Sequence, residues 1–147
     1  MTTTFNERLS IGHTGEDIII NLLLEKYGDP TTERQTAENR FKMRHDISTK
    51  SGRKIEVKHD LRFKQTNNIF IEINGKNGQK SGLKITTARE WFFILDTFIY
   101  SISTKQLKQI IKNKELKYIK HSPRNGGGFI LPFEHFKHLF LLECVIN

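Results

Sequence analysis

The stretch KIEVKHD, residues 54–60, alternates aliphatic residues with an acid and a base. Side chains of a β-strand alternate in direction, so Ile55 and Val57 should face one way and Glu56 and Lys58 the other. A Ser-Gly turn separates this stretch from an earlier short alternating segment. The pattern therefore predicts a β-hairpin whose second strand aims a carboxylate and an ammonium group from the same face.

Asp46 ends the first of these two segments, and nine residues separate it from Glu56. If the two strands pair, the two carboxylates converge, and their hard oxygens suit Mg²⁺ or Mn²⁺. In the hydrolysis of an anionic ester, such an ion neutralises charge and lowers the pKa of its bound water, while Lys58 can stabilise the developing charge. Alternatively, Asp46 begins a turn, and Glu56 and Lys58 form an exposed strand pair.

The positive charge of the chain is concentrated around this stretch. The 147 residues include 24 Lys and Arg against 16 Asp and Glu, and the sequence pI is about 9.7. Residues 40–89 alone carry 13 Lys and Arg against 4 Asp and Glu, a net charge of +9. Clustered positive charge indicates a polyanionic partner, of which nucleic acid is the commonest, although solubility alone makes many small proteins basic.

The cysteine content and the hydropathy pattern predict a soluble protein of the cytoplasm. The single cysteine, Cys144, permits neither a disulfide within the chain nor a cysteine-based zinc site. No apolar run approaches the ~20 residues that span a bilayer, and the N-terminus lacks the apolar core of a signal peptide. We therefore expect no membrane partner.

The order of the predicted elements is typical of one α/β domain over residues 1–147. A helix capped by Thr14 should end at Gly28, and three strands should follow as an antiparallel meander. A second helix should begin within residues 86–93, and residues 92–103 read as apolar strand material with a bend at Asp96-Thr97. A helix capped by Thr104 and a short terminal strand with a helix or turn complete the chain. The expected architecture is a central mixed β-sheet flanked by helices.

The order of the chemically active residues resembles the PD-(D/E)XK nuclease superfamily. Asp46 is followed by Glu56-Val57-Lys58, and a helix carrying Glu16 precedes both. The layout is similar to small phage nucleases and Holliday-junction resolvases. In phage members a strand Glu is followed by a Ser-Gly pair, a Thr-Ala pair and an aromatic residue, as in NNIFIEINGKNGQKSGLKITTAREW, residues 67–91. The resemblance covers about residues 12–104.

The resemblance implies a restriction-endonuclease-like fold and a Mg²⁺-dependent deoxyribonuclease, with Mn²⁺ as a substitute ion and a 5′-phosphate product. Lys58 would orient the nucleophile or stabilise the transition state, and Glu16 would help to hold a metal ion or its water. His45 stands where the superfamily has its signature proline. The implied metal ligands are Asp46, Glu56 and the backbone carbonyl of Val57, with Glu16 and Glu72 as further candidates.

The expected partner is duplex or branched DNA. No base-reading element is evident, so binding should follow the backbone and shape of the DNA. A junction substrate, as in DNA recombination, would require a homodimer for paired cuts. The resemblance places the enzyme in a bacterial host, encoded by a phage. Two alternatives stay open: a catalytically silent DNA-binding or inhibitory protein on the nuclease fold, and a nuclease acting on RNA. The candidate DNA contacts are Arg44, Arg53, Arg62, Lys64, Lys80, Ser81, Lys84, Thr86, Thr87 and Arg124.

Overall fold

Two β-sheets form the framework of the computed structural model, which describes residues 5–34, 44–113, 115–122 and 126–146. The six-stranded sheet has the order β1-β2-β3-β5-β6-β9, and the three-stranded sheet has the order β4-β8-β7. The strands are β1 (Thr31–Arg34), β2 (Ile47–Thr49), β3 (Lys54–Asp60), β4 (Asn68–Asn74), β5 (Glu90–Leu95), β6 (Phe98–Ser103), β7 (Lys117–Ser122), β8 (Gly126–Pro132) and β9 (Leu141–Val145).

One long helix and several short ones complete the described chain. The α-helices are α1 (Phe5–Tyr27), α2 (Phe63–Thr66), α3 (Thr104–Ile110) and α4 (Phe133–Phe136). Single 3₁₀ turns occupy Lys76–Gly78, Gly82–Lys84 and Lys137–Leu139. In the parts of the chain that are described, no helix combines the length and apolar character needed to cross a lipid bilayer.

The six-stranded sheet is covered differently on its two faces. Ile19 and Leu23 of α1 are buried with Ile55 on one face, in a cluster that extends to Phe92. On the other face, Trp91 is buried with residues of the three-stranded sheet and of α3. The domain is therefore a single α/β domain with a mixed central sheet, as the sequence predicts, but a second sheet provides much of the covering that was expected from helices.

The pairing of the central strands agrees with the sequence in part. β2 pairs antiparallel with β3, and β5 pairs parallel with β3. The expected meander from β3 to β4 is wrong, because α2 and a left-handed residue at Asn67 (φ 56°) lead the chain into the second sheet. The polar composition of residues 29–40 predicts a loop or a weak helix, yet β1 lies within them. Phe41 and Met43, whose alternation with charged residues predicts the first strand of the hairpin, lie outside the described residues.

The second helix predicted to begin within residues 86–93 is wrong, because β5 begins at Glu90. The predicted strand over residues 92–103 with a bend at Asp96-Thr97 is confirmed, since β5, a turn and β6 occupy these residues. Residues 91–95 of β5 are buried because both faces of the sheet are covered at this strand. A short continuous apolar run is typical of a strand that is covered on both faces. Thr87 and Glu90 stand at the spacing of a helix capping box, which predicts that helix, but in the structure they have other partners. The Thr87 hydroxyl hydrogen-bonds with His45, and the Glu90 carboxylate accepts both hydrogen bonds of the Arg53 guanidinium.

Two predicted helix caps also differ from the structure. α1 begins at Phe5, so Thr14 lies within the helix, on an exposed position. The helix ends as predicted, since Gly28 adopts a positive φ of 60° and its N–H donates to the Leu24 carbonyl at 2.9 Å. The α3 cap is Ser103, whose hydroxyl accepts from the Gln106 N–H at 3.1 Å, one residue before the predicted cap.

A buried carboxylate joins the last turn of α1 to the sheet. Glu143 accepts hydrogen bonds from Lys26 at 2.8 Å, from Tyr27 at 2.6 Å and from Ser101 at 2.8 Å. Burial raises the pKa of Glu143, but these three donors outweigh it, and the pKa is lowered from its ordinary value. Ionised Glu143 therefore stabilises the fold, and this contribution is lost as the pH falls below about 4.5 through the lowered pKa.

We expect Glu143→Gln to lower the free energy of unfolding by about 1–3 kcal/mol at pH 7, because a charge-assisted acceptor becomes a neutral amide. Urea denaturation at pH 7 and at pH 3 measures the effect, which should shrink at the lower pH. Glu134→Gln, at an exposed position of α4, is the matched control and should change little. Equal stability of the two variants at pH 7 would contradict the role assigned to Glu143.

Candidate functional site

Asp46 directly precedes β2, so the prediction that it ends the first strand of the hairpin is wrong, and its carboxylate is fixed against β3 from the start of β2. The Asp46 N–H donates to the Ile55 carbonyl at 2.9 Å, and Asp46 Oδ2 accepts from the Val57 N–H at 2.8 Å. The backbone pairing of β2 and β3 includes Ile47 with Ile55, and Val57 lies beyond it. The buried Asp46 side chain thus continues the hydrogen bonding at the point where β2 leaves the edge of β3.

The backbone of Val57 adds an oxygen to the same place. Because the N–H and C=O of one strand residue point to the same edge, the Val57 carbonyl faces the edge on which its N–H meets Asp46. The side chains of Glu56 and Lys58 point to the sheet face that Trp91 shares, since Glu56 lies opposite Trp91 in the β3–β5 register. We call Asp46, Glu56, Val57 and Lys58 the E-x-K site.

The Glu56 carboxyl lies in a setting that opposes its ionisation. Its side chain is 17% exposed, and its Oε1 lies 3.4 Å from Lys58 Nζ. Burial raises the pKa of Glu56 to about 7; Lys58 opposes the rise, while the Asp46 carboxylate adds to it by charge repulsion and hydrogen bonding. The two acidic side chains are therefore close enough to share a proton or a cation.

The charge on Lys58 is maintained by the acids around it. Burial lowers the pKa of Lys58, but Glu56, Asp46 and Glu72 outweigh this effect and raise the pKa above its ordinary value. The ammonium nitrogen also lies 5.5 Å from the centre of the Trp91 ring, within the range of a cation–π interaction. Lys58 is therefore a cation at neutral pH, beside two carboxylates.

A hydrated Mg²⁺ fits the groups of the E-x-K site. Such an ion keeps several waters and binds through one or two carboxylates, with oxygen ligands throughout. Asp46 and Glu56 supply two carboxylates, and the Val57 carbonyl faces the edge where Asp46 lies. Among the residues that the structure describes, no three side chains of His, Cys, Asp or Glu are grouped closely enough to hold a metal ion. The fit of Mg²⁺ therefore depends on the carboxylates of Asp46 and Glu56 and on the backbone oxygen of Val57.

The two further candidate metal ligands, Glu16 and Glu72, lie on α1 and β4, outside the E-x-K site. Glu16 is buried on α1, where its Oε2 accepts from Arg34 Nε at 2.9 Å. Its neighbour Gly15 packs against β3, because a Cβ at this position would lie 3.1 Å from the Cβ of His59. Glu72 is exposed on β4 and near enough to raise the pKa of Lys58. Metal binding by either residue stays a prediction.

The Ser-Gly pair and the two threonines of the downstream motif have structural contacts. Gly82 has a φ of 48°, and a Cβ there would collide with the backbone of Glu72, so this position requires glycine. Ser81 Oγ is buried and has no hydrogen-bond partner among the described residues. The Thr86 hydroxyl donates to the Arg44 carbonyl at 3.2 Å, while that of Thr87 meets His45. Phosphate binding by these hydroxyls stays a prediction.

The candidate cationic DNA contacts differ in their surroundings. Arg53 is held by Glu90 at 2.6 and 2.7 Å, and its guanidinium carbon lies 4.6 Å from the centre of the Tyr27 ring, so structural contacts account for it. Arg124 lies outside the described residues. The remaining candidates are exposed and available to phosphate: Arg44, Arg62, Lys64, Lys80 and Lys84.

Two residues at this site were not predicted from the sequence. Trp91, one of a run of aromatic residues whose composition favours a core position, is buried as that composition predicts, but its ring also lies beneath the Lys58 ammonium group. His45, noted only as a replacement for proline, is buried and hydrogen-bonded to Thr87. The contact of Trp91 with Lys58 follows only from the register of β5 against β3. The partners His45 and Thr87 are 42 residues apart along the chain, so no local pattern indicates their contact.

Comparison of the chain with protein-family models, with curated proteins and with solved structures finds no match. The geometry of the E-x-K site and the order of its residues along the chain therefore carry the functional interpretation.

Proposed function

We propose that the protein is a metal-dependent endonuclease that hydrolyses DNA phosphodiester bonds, with a restriction-endonuclease-like fold of the PD-(D/E)XK type. The observation that carries the proposal is the convergence of Asp46 and Glu56 beside Lys58, whose ammonium nitrogen lies 3.4 Å from the Glu56 carboxylate. A structural ion pair alone requires one acid and one base. A second carboxylate, which raises the pKa of the first, is favourable when a divalent cation is bound.

Each side chain of the E-x-K site has a role in this reaction. Bound Mg²⁺ supplies neutralisation of phosphate charge and a more acidic water. Asp46, whose carboxylate accepts from the Val57 N–H, and Glu56 would hold the cation. Lys58 is charged and supported by the Trp91 ring, so it can stabilise negative charge on the attacking water or on the phosphate oxygens as the bond breaks.

The charge of the chain supports DNA as the substrate. The net charge is +8, and the exposed candidates Arg44, Arg62, Lys64, Lys80 and Lys84 lie in the part of the sequence that surrounds β3 and β4. Contacts of this kind bind phosphate without reading bases, so we propose recognition by backbone and shape. Branched DNA and a homodimer that makes paired cuts remain extensions of this proposal.

The direct test is incubation with labelled duplex, single-stranded and four-way DNA and with RNA, each in Mg²⁺ and in EDTA. The proposal predicts DNA cleavage in Mg²⁺, a 5′-phosphate product and no cleavage in EDTA. Tight DNA binding without cleavage in Mg²⁺ or Mn²⁺ would instead indicate the catalytically silent DNA-binding protein. Cleavage confined to RNA would overturn the DNA assignment while leaving the metal site intact. Light scattering of the same sample reports whether a homodimer forms.

A further inference from the structure

We propose that His45 is a positioning residue that sets the Asp46 carboxylate in place through hydrogen bonds to Thr87 and Ser48. The His45 ring is 1% exposed. Its Nδ1 lies 2.8 Å from Thr87 Oγ1, and its Nε2 lies 2.8 Å from Ser48 Oγ. This inference rests on the proposed nuclease function for its consequence in catalysis, but the positioning itself is independent of cleavage.

The two hydroxyl partners hold the ring in one orientation. A neutral imidazole has one donor and one acceptor nitrogen, and each hydroxyl can either donate or accept. Both hydrogen bonds are therefore satisfied in either tautomer of His45. Since Ser48 lies in β2 and Thr87 lies on the approach to β5, the ring connects two segments that flank β3.

The backbone before Asp46 is held at the same place. Arg44 has a φ of 58°, in the left-handed region that non-glycine residues seldom adopt. Its carbonyl accepts from the Thr87 N–H at 3.1 Å and from the Thr86 hydroxyl at 3.2 Å. Together with the bond from Thr87 to His45, three hydrogen bonds attach residues 44–45 to residues 86–87. A strained conformation that is held this firmly fixes the direction in which the chain enters β2.

Asp46 is the next residue along the chain, so the backbone conformation of residues 44–45 determines where its carboxylate lies. Its Oδ2 accepts from the Val57 N–H at 2.8 Å, and its backbone N–H donates to the Ile55 carbonyl. We call the three hydrogen bonds that join residues 44–45 to residues 86–87 the clamp. From Thr87 the chain leads into β5, where Trp91 lies opposite Glu56. The clamp thus connects the Asp46 ligand to the strand next to Glu56, the other carboxylate of the site.

Substitution of Thr87 tests the clamp with little change in shape. Thr87→Val removes the hydroxyl, Thr87→Ser keeps it, and Thr97→Val at the exposed β5–β6 turn is the matched control. We expect Thr87→Val to increase amide hydrogen exchange of Val57 severalfold, because Asp46 Oδ2 accepts that N–H. We also expect it to lower kcat for DNA cleavage by about 10- to 100-fold with little change in KM. Thr87→Ser should restore both values.

The exchange measurement separates this inference from the proposed function. If the wild-type protein cleaves no nucleic acid but Thr87→Val still accelerates exchange at Val57 selectively, the nuclease proposal fails and the clamp stands. If Val57 exchange is unchanged in Thr87→Val, or if exchange rises equally at all core amides as the whole protein is destabilised, positioning by His45 is overturned. Urea denaturation of the three variants distinguishes selective from global effects.

Discussion

The Lys58→Ala variant is expected to lose Mg²⁺-dependent DNA cleavage by about 10²- to 10³-fold, the usual loss when one group that stabilises transition-state charge is removed. Lys58 brings the ammonium group of the E-x-K site, 3.4 Å from Glu56 and 5.5 Å from the Trp91 ring centre. Its side chain is 41% exposed, so its loss leaves the buried core intact. Single-turnover cleavage rates at saturating enzyme measure the effect on the chemical step.

A neighbouring lysine provides the control for this experiment. Lys54 lies on the same strand and, by the alternation of β3, on the same face as Lys58, but it is exposed at the start of the strand. Lys54→Ala removes the same charge and should leave the rate within about threefold of the wild type, since a single exposed cation contributes mainly to binding. Equal losses in both variants would show that Lys58 acts through net charge alone.

Glu56→Gln is expected to stabilise the metal-free protein at pH 8 while abolishing its response to Mg²⁺ or Mn²⁺. The pKa of Glu56 is raised to about 7 from its ordinary value of 4.5, first by burial. The cost of ionised Glu56 is therefore absent below about pH 4.5, grows as the pH rises towards 7, and is complete above it. A shift of this size corresponds to at most about 3.4 kcal/mol, so the variant should melt several degrees higher at pH 8 and like the wild type at pH 4.

Divalent ions should reverse the order of stability. At 100 times its dissociation constant, an ion that binds only the folded protein stabilises it by about 2.7 kcal/mol, and Glu56→Gln lacks a ligand for that ion. Trp91, the one tryptophan of the chain, lies opposite Glu56 in the sheet, so its fluorescence provides a titration of binding. Glu33→Gln, exposed on β1, is the control. If Mn²⁺ does not change the melting temperature of the wild-type protein at pH 8, the proposed metal site is contradicted.

The local part of the site could be predicted from the sequence. The two-residue period of KIEVKHD follows from strand geometry, and the structure buries Ile55 against α1 while Glu56 faces the other side. The antiparallel pairing of β2 and β3 follows from a short connection with a turn between them. These features depend on residues within about one hairpin, where the pattern of the sequence is sufficient.

The remaining features depend on partners that are distant along the chain. The sequence predicts a helix start within residues 86–93, where β5 begins instead, because Thr87 and Glu90 stand at capping-box spacing and a short apolar run does not separate a buried strand from a buried helix. β4 belongs to the second sheet, and packing rather than local propensity determines which sheet it joins. Arg53 was read as a phosphate contact, yet Glu90, 37 residues away, is its partner. Such pairings become visible only once the topology brings the side chains together.

Anomalous scattering from a crystal soaked in Mn²⁺ at pH 8 tests the central claim most directly. We expect one strong peak at the start of β2, within about 2.0–2.4 Å of oxygens from both Asp46 and Glu56, with the Val57 carbonyl turned towards it. The peak should be absent from crystals of Glu56→Gln. A fully soaked wild-type crystal with no peak between the two carboxylates, or with Mn²⁺ bound only elsewhere, would contradict the metal-dependent nuclease that we propose.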